Sequence, residues 1–295
     1  MNSIGFTHDG GSKWPFDPPD LPDPPDPPDV YYSRVAVDFS RNARVYDDRH
    51  GALLDGALAG QLIAAARIGA GARGLDVGAG TGRVSVPFAA LGHRMVAIDR
   101  SAAMLARLRE KSHTIPDSRI AAAVADATAL PFADASFAVV VAARLMYLMT
   151  AWRAAVDEAA RVLRPGGCLL HEWGNGEPDE PWVQVREKAR ALFEAAGVAA
   201  PFHPGARSDD DVDACARARG FGVAAVIRDG AGAPTTMVRF LERIETGELS
   251  YTWNVPDAVQ RACLPRLREW AEARFDPRAP FTAPRMVTWT VYRKE

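Results

Sequence analysis

Cysteine is scarce in this chain of 295 residues, which contains three, and none of them stands in a CxxC pair. Cys168, Cys215 and Cys263 lie far apart in the sequence, so neither a disulfide scaffold nor a thiolate zinc site is predicted. No other metal site is predicted. Thiols without a pairing pattern favour a reducing compartment, so we predict a cytoplasmic protein.

Long apolar segments are also missing. The longest mostly apolar run, residues 137–149, is interrupted by Arg144, whereas a helix that spans a bilayer needs about 20 apolar residues. The first residues have neither the basic region nor the apolar region of a secretory signal. The sequence therefore predicts a protein that is not exported and does not contact a membrane.

Neither sign of charge dominates, because 35 lysines and arginines face 37 aspartates and glutamates for a formal net charge of −2. Such a balance does not steer a protein toward nucleic acid, so the predicted partner is a small molecule. Residues 14–29 are rich in proline and have an aspartate at every third position from 17 to 29, which is the period of polyproline II. We predict that residues 1–29 form a disordered tail without a catalytic role, the alternative being a docking motif for a proline-binding partner.

The remainder, residues 30–295, is predicted to form one domain with its core at 70–173. Short apolar runs alternate there with amphipathic stretches, which indicates right-handed crossovers and a doubly wound, mostly parallel α/β sheet. Predicted strands lie at 74–77, 95–99, 120–126, 137–143, 168–172, 223–229 and 286–293. Residues 230–285, between the last two strands, are too many for a loop and are predicted to be a helical insertion, with helices near 236–246 and 256–275.

A glycine-rich turn is the sharpest motif. Residues 75–82 read LDVGAGTG, an apolar strand followed by glycines that permit φ > 0 and close approach of a ligand. A dinucleotide fingerprint, GxGxxG, would need a third glycine where Arg83 stands, which disfavours a nicotinamide-dependent oxidoreductase. Asp99, at the end of the second strand, could accept hydrogen bonds from both ribose hydroxyls of an adenosine. Asp126 with Ala127, at the end of the third strand, could contact the edge of an adenine, so a nucleoside pocket is predicted.

Residues 74–172 resemble the class I S-adenosylmethionine-dependent methyltransferases, in particular the type-11 group that includes quinone-biosynthesis methyltransferases. The segments that carry the resemblance are LDVGAGTG (75–82), AIDRSAAML (97–105), VADATALPFADASFAVVV (124–141) and ARVLRPGGCLL (160–170). The resemblance implies a seven-stranded sheet with an antiparallel last strand and S-adenosylmethionine as cofactor. It also implies direct in-line transfer of the methyl group to a small-molecule acceptor.

The resemblance assigns roles to individual residues. In this family the glycine turn holds the amino-acid end of the cofactor, the acid of the second strand holds the ribose, and an apolar residue packs beside adenine. The positions that match are Asp76, Gly78, Ala79, Gly80, Gly82, Asp99, Met104, Asp126 and Ala127. Related enzymes often begin with helices that cover the cofactor, and by this likeness residues 46–51 form an N-terminal helical lid. Tyr46 is then a cofactor contact, although a core aromatic is an equally good interpretation.

The acceptor side is predicted beyond the carboxyl ends of the later strands, where ligands of open sheets bind. Arg144, Tyr147 and Trp173 are the predicted acceptor contacts. His171 lies at the same rim and is predicted as a general base if the acceptor must lose a proton, the alternative being a hydrogen-bonded sheet residue. A non-catalytic, cofactor-binding regulatory protein remains open. The sequence does not indicate whether N, O, C or S is methylated, nor the oligomeric state.

Overall fold

The computed structural model describes residues 46–47, 53–115, 119–174, 180–198, 204–230, 233–249, 252, 255–283 and 287–295. The predicted tail, residues 1–29, lies outside these ranges. In chain order the strands are β1 Arg73–Val77, β2 Arg94–Asp99, β3 Ile120–Val124, β4 Phe137–Ala143, β5 Leu163–Gly174, β6 Phe221–Asp229, β7 Ala233–Thr236, β8 Pro280–Ala283 and β9 Val287–Lys294.

Seven of these strands form one sheet in the order β3-β2-β1-β4-β5-β9-β6. The first five in this order pair in parallel, while β9 runs antiparallel to both β5 and β6. The central strand β4 is apolar and buried along nearly its whole length, as expected for a parallel strand covered on both faces. The architecture confirms the predicted doubly wound, seven-stranded fold with an antiparallel last strand.

Helices cover both faces of the sheet. They are α1 Gly56–Ala65, α2 Ser85–Ala90, α3 Ala102–Ser112, α4 Trp152–Val162, α5 Pro181–Ala195, α6 Asp209–Arg217, α7 Met237–Glu245 and α8 Asp257–Arg274. Successive residues of a strand point to opposite faces. Val140 and Leu169 therefore pack with α4 and α6, whereas Val141 and Leu170 pack with α1 and α2.

The predicted insertion contains α7 and α8, close to the expected bounds, and also the two-stranded antiparallel sheet of β7 and β8, which was not predicted. Its apolar side chains pack against α5 in a separate core that includes Phe193, Leu241 and Leu267. No helix in the described part of the chain is long and apolar enough to cross a membrane.

Candidate functional site

The glycine turn follows β1 at the carboxyl edge of the sheet. Gly78, Gly80 and Gly82 all have positive φ, at 70°, 54° and 87°. A Cβ atom at Gly78 would lie 2.7 Å from Leu145 Cδ1, and one at Gly82 would lie 2.9 Å from Leu108 Cγ. A Cβ at Gly80 would meet nothing within 4 Å. Packing therefore explains two of these glycines, and Gly80 marks the side on which a ligand can approach the backbone.

Three amides of the turn are already hydrogen-bonded. The amide of Ala79 donates to the carbonyl of Ile98 at 2.8 Å, and that of Gly82 donates to the carbonyl of Ala79 at 2.9 Å. The amide of Gly80 donates to Asp99 Oδ2 at 2.9 Å. A pyrophosphate bound at a glycine turn needs free N–H donors. The turn offers few of them, which agrees with the departure from the dinucleotide fingerprint at Arg83.

Asp99 joins the turn to the next strand and helix. Its Oδ1 accepts a hydrogen bond from the amide of Ser101 at 2.8 Å, while Oδ2 accepts from Gly80. Burial raises the pKa of this carboxyl above its usual range. Each carboxylate oxygen can accept more than one hydrogen bond, so Asp99 can also receive hydroxyl groups of a ligand at the sheet edge.

Asp76 points into the protein instead. Only 1% of it is exposed, and its Oδ2 accepts hydrogen bonds from the amide of Ser85 at 3.0 Å and from Ser85 Oγ at 2.6 Å. Burial raises the pKa of this carboxyl to about 6. Its described contacts fasten the end of β1 to the start of α2, so Asp76 positions the glycine turn from behind.

The residues predicted to surround an adenine lie beside Asp99. The register pairs Asp99 with Val124, the last residue of β3, so Asp126 and Ala127 follow at the same edge of the sheet. Asp126 Oδ1 accepts hydrogen bonds from the amide of Thr128 at 2.8 Å and from its hydroxyl at 2.7 Å. Met104 and Ala127 are buried apolar side chains. The edge thus combines carboxylates with an apolar surface.

A charged cluster occupies the ends of β4 and β5. Glu172 is fully buried and accepts hydrogen bonds from Arg83 and, at 3.3 Å, from Arg144 Nε. The two arginine side chains keep 20% and 26% of their surface exposed. Arg144 has φ +54°, a strained backbone for a non-glycine residue. Arg83 was not predicted as a site residue, because a single arginine after the turn belongs to no recognisable pattern.

Tyr46 lies near the same cluster, since the charges of Arg144 and Asp99 both act on its hydroxyl. Burial raises the pKa of this phenol. The neighbouring Asp47 accepts a hydrogen bond from Thr81 of the glycine turn and forms an ion pair with Lys111 of α3, with a distance of 2.7 Å from Nζ to Oδ2. Residues 46–47 are thus attached to the predicted cofactor side, while the rest of the predicted lid segment, 48–51, lies outside the described residues.

Two of the predicted acceptor contacts touch each other. The rings of Tyr147, in the short turn after β4, and Trp173, near the end of β5, pack edge to face with centroids 5.6 Å apart. Burial raises the pKa of Tyr147, and the Arg144 guanidinium opposes this effect. The structure therefore brings Arg144, Tyr147 and Trp173 together at the carboxyl ends of β4 and β5.

His171 is a buried sheet residue. It is fully buried between Ala142 of β4 and Thr290 of β9, and its Nε2 lies 3.6 Å from Asp209 Oδ1 of α6. Burial lowers the pKa of this imidazole to about 4. Its side chain faces away from that of Glu172, because successive strand residues alternate. This burial and the lowered pKa do not favour the general base predicted at His171, although its ring lies 5.9 Å from that of Trp173.

Sequence comparisons agree with this geometry. Residues 75–167 match a family model described as a methyltransferase domain. A protein of uncharacterised function from Mycobacterium tuberculosis H37Rv is 39% identical over 112 residues, which cover 37% of this chain and 39% of that protein. A demethylmenaquinone methyltransferase from Clavibacter sepedonicus is 43% identical over 101 residues, which cover 34% of this chain and 40% of that enzyme. The chain thus spans about two fifths of the length of the curated relatives it matches.

Solved structures share the fold. A putative methyltransferase from Bacillus halodurans aligns with a TM-score of 0.58 and 19% identity, over 81% of this chain and 99% of that one. Phosphoethanolamine N-methyltransferase 2 from Haemonchus contortus, solved with phosphomonomethylethanolamine and S-adenosylhomocysteine, aligns with a TM-score of 0.51 and 18% identity, over 86% of this chain and 57% of that one. The matched family model and the shared fold confirm the resemblance: residues 75–167 match a methyltransferase domain, and the sheet has the fold of the class I S-adenosylmethionine-dependent methyltransferases.

Proposed function

We propose that the protein transfers a methyl group from S-adenosylmethionine to a small-molecule acceptor by direct in-line displacement. The observation that carries this proposal is the open backbone of Gly80 beside the Asp99 carboxylate, at the carboxyl edge of β1 and β2. The match of residues 75–167 to a methyltransferase domain supports it, as does a structural neighbour that binds S-adenosylhomocysteine.

The residues present fit this cofactor. Asp99 offers acceptor oxygens for ribose hydroxyls, and Met104 with Ala127 offers an apolar surface for adenine next to the Asp126 carboxylate. The turn from Gly78 through Ala79 and Gly80 to Gly82 would hold the amino-acid end, with Asp76 fixing it from behind. Because three of its amides are already used, the turn suits a cationic amino group better than a phosphate.

The main contribution of the protein to this reaction is to align the two reactants. The bound cofactor supplies an activated methyl group, so no protein nucleophile is required. Holding two reactants in line and excluding water can contribute about 7–11 kcal/mol. Arg144, Tyr147 and Trp173 are proposed to contact the acceptor, and Tyr46 to cover the cofactor. No general base is assigned, since the predicted one, His171, is fully buried.

The proposal also covers the class of acceptor, the cellular location and the domain organisation. We infer that the acceptor is a metabolite rather than a nucleic acid, because positive and negative charges nearly balance. A cytoplasmic location is supported by three buried cysteines that form no disulfide. Residues 30–295 are proposed to act as one domain with a core at 70–173, an insertion at 230–285 and a preceding tail at 1–29.

Calorimetric titration of the purified protein tests the cofactor. We expect saturable binding of S-adenosylmethionine and S-adenosylhomocysteine and none of NADH. Release of S-adenosylhomocysteine across a panel of small-molecule acceptors then tests turnover. Binding without turnover on a broad panel would favour a regulatory protein, and binding of neither sulfur ligand by the folded protein would overturn the proposal.

A pair of glycine variants makes the test specific for the turn. Gly80 and Gly92 both have positive φ and open space around a Cβ position, but Gly92 lies in the loop before β2. Gly80→Ala and Gly92→Ala should each cost about 1–2 kcal/mol of stability for the left-handed backbone. Only Gly80→Ala should abolish cofactor binding, because its methyl group occupies the approach to the turn. Equal affinities in the two variants would remove the turn from the proposed site.

A further inference from the structure

Strand β6 forms one edge of the sheet. Among the described residues it pairs only with β9, and five of its own residues are exposed: Val223, Ala224, Val226, Arg228 and Asp229. Val223 and Val226, 37% and 52% exposed, are two of the four large apolar side chains that stand out on the described surface. At the opposite edge Arg109 donates a hydrogen bond to the carbonyl of Ala122 in β3, whereas no described side chain hydrogen-bonds to the backbone of β6. Exposed apolar edges of this kind accept another strand.

Two grooves flank this strand, one on each face of the sheet. The groove beside α6, of about 360 Å³, is lined by three aspartates, by Arg217 and Arg228, and by the exposed valines of β6. The groove beside the end of α1, of about 380 Å³, is lined by Arg67, Arg293, Lys294 and Glu295, and by Val223. The ammonium group of Lys294 points away from it and donates to the carbonyls of Ala160 and Leu163. The apolar edge thus lies between a groove with a small excess of negative charge, the acidic groove, and a groove with a small excess of positive charge, the basic groove.

The charges are arranged with opposite signs at the two ends of β6. Asp229 ends the strand on the α1 face, the side of Ala225 and Ile227. Arg67 lies on the same face at the other end, in the groove that Gly222 also lines. On the α6 face, the aspartates at the start of α6 lie toward the Asp229 end, and Arg217 ends that helix just before β6 begins. Arg228 adds one positive charge to the acidic groove.

We propose that two copies of this chain associate through β6, with the two strands antiparallel and the two sheets continuous. A two-fold axis perpendicular to the sheet keeps each face continuous across the interface. It brings Asp229 of one copy to Arg67 of the other. It also brings the aspartates of α6 toward Arg217 of the other copy, whose Nε already donates to Asp213 of its own helix at 2.7 Å. The valines of both edges are covered, and the outward N–H and C=O groups of β6 gain partners.

Sedimentation velocity of the full chain over a concentration series is the first test, and we expect a monomer–dimer equilibrium. Val226→Arg should weaken the dimer about tenfold or more, because it places like charges face to face across the axis. Leu91→Arg is the matched control, since Leu91 is 48% exposed at the end of α2 and should leave association unchanged. If the wild type is a monomer at every concentration, the proposal is overturned, and this holds also if another segment of the chain covers the edge.

A charge exchange then tests the antiparallel arrangement. Asp229→Arg and Arg67→Asp should each weaken the dimer, while the double variant should restore it to near the wild-type value. Asp229 and Gly222 are separated by about 23 Å along the strand, so Asp229 and Arg67 of one copy cannot pair with each other. Arg67 has φ +51°, which aspartate tolerates well. Failure of the double variant to recover association, with cofactor binding intact, would exclude this arrangement.

Discussion

Three carboxylates, of which Asp76 and Glu172 are buried and Asp99 is half-buried, have different roles at neighbouring strand ends. Asp76 is bonded inward to Ser85 and shapes the turn. Asp99 reaches the turn backbone at Gly80 from the next strand and lies at the ligand edge. Glu172 is neutralised by two arginines and holds the ends of β4 and β5 to the turn. Only Asp99 combines a position at the edge with acceptor capacity left for a ligand.

Asp99→Asn tests this assignment. The variant keeps the size of the side chain but loses its charge and half of its acceptor capacity. A hydrogen bond to a charged group contributes about 1.5–3 kcal/mol, so we expect S-adenosylhomocysteine to bind roughly 10- to 100-fold more weakly by calorimetry. Asp229→Asn, at the far edge of the sheet, is the control and should bind normally. An unchanged affinity of Asp99→Asn would reject the ribose role.

His171→Gln tests the conclusion that this imidazole is a structural residue. Its pKa of about 4 in the folded protein lies below the ordinary value of 6.5, so protonation favours the unfolded chain. The wild type should therefore lose stability as the pH falls below 6.5, by about 2 kcal/mol at pH 5 relative to pH 7.5. Over the same change of pH, the free energy of unfolding of the variant should fall by about 2 kcal/mol less than that of the wild type. Asp209, whose pKa burial raises to about 6, is present in both proteins, so most of its own effect cancels.

Urea denaturation at pH 7.5 and pH 5 measures this difference. His113→Gln serves as the control for the loss of an imidazole from the chain, because that side chain lies in solvent after α3. Methyl transfer at saturating substrate should stay within about twofold of the wild type, since general base catalysis contributes about 100-fold or more where it operates. A much larger loss of turnover would return His171 to the catalytic residues.

The residue scale also shows where sequence reasoning reaches its limit. Asp99, Asp126 and the glycines were predicted at the sheet edge, because their positions follow from strand ends and local motifs. His171 and Glu172 are adjacent in β5, so their side chains extend from opposite faces of the strand. One is a buried imidazole, and the other is the carboxylate of the charged cluster. Which of the two faces lies at the site depends on how α6 and α2 pack on the sheet. The sequence pattern of a strand carries no information about that packing.

At the scale of single elements, the start of α3 links helix stability to the predicted cofactor edge. Ser101 Oγ accepts a hydrogen bond from the amide of Met104 at 3.2 Å and begins the helix beside Asp99. Ser208 Oγ does the same for Asp211 of α6, also at 3.2 Å, on a helix that lies next to β6. The two caps are equivalent in chemistry and differ in their distance from the site.

Ser101→Ala and Ser208→Ala should therefore separate stability from binding. Each variant loses one N-cap and should be destabilised by about 1 kcal/mol in urea denaturation. Ser101→Ala should also weaken S-adenosylhomocysteine, because α3 then holds Met104 and the Asp99 loop less firmly, whereas Ser208→Ala should not. Equal cofactor affinities in the two variants would show that the start of α3 does not support the site.

The elements themselves were largely predictable, since strand and helix periodicities differ and caps mark helix starts. The exceptions have tertiary causes. Strand β5 begins at Leu163, five residues before the predicted start, because Phe137 of β4 pairs with Leu163 across a register shift. The pair β7 and β8 was missed because each strand has four residues, includes a proline and shows no apolar alternation. Their pairing joins residues far apart in the chain.

At the scale of the whole molecule, the described residues contain more than one apolar core. Two large clusters cover the faces of the sheet, and a third joins α5 to the insertion helices α7 and α8. The third cluster has its own fully buried side chains, among them Phe193, Ile244 and Leu267. Cores that share few contacts open independently, so α5, α7 and α8 are expected to form one cooperative unit beside the sheet.

Native-state hydrogen exchange of two matched variants tests this division. Leu267→Ala and Leu170→Ala each remove a leucine that is almost or completely buried, at 1% and 0% exposure, and each should cost about 2–5 kcal/mol locally. Leu267→Ala should accelerate exchange in α5, α7 and α8 while β1, β4 and β5 keep their protection. Leu170→Ala lies within the sheet, so it should lower protection throughout the molecule. If Leu267→Ala accelerated exchange in the central strands to the same extent, the sheet and the insertion would be one cooperative unit, and the insertion could not move relative to the cofactor edge without unfolding the sheet.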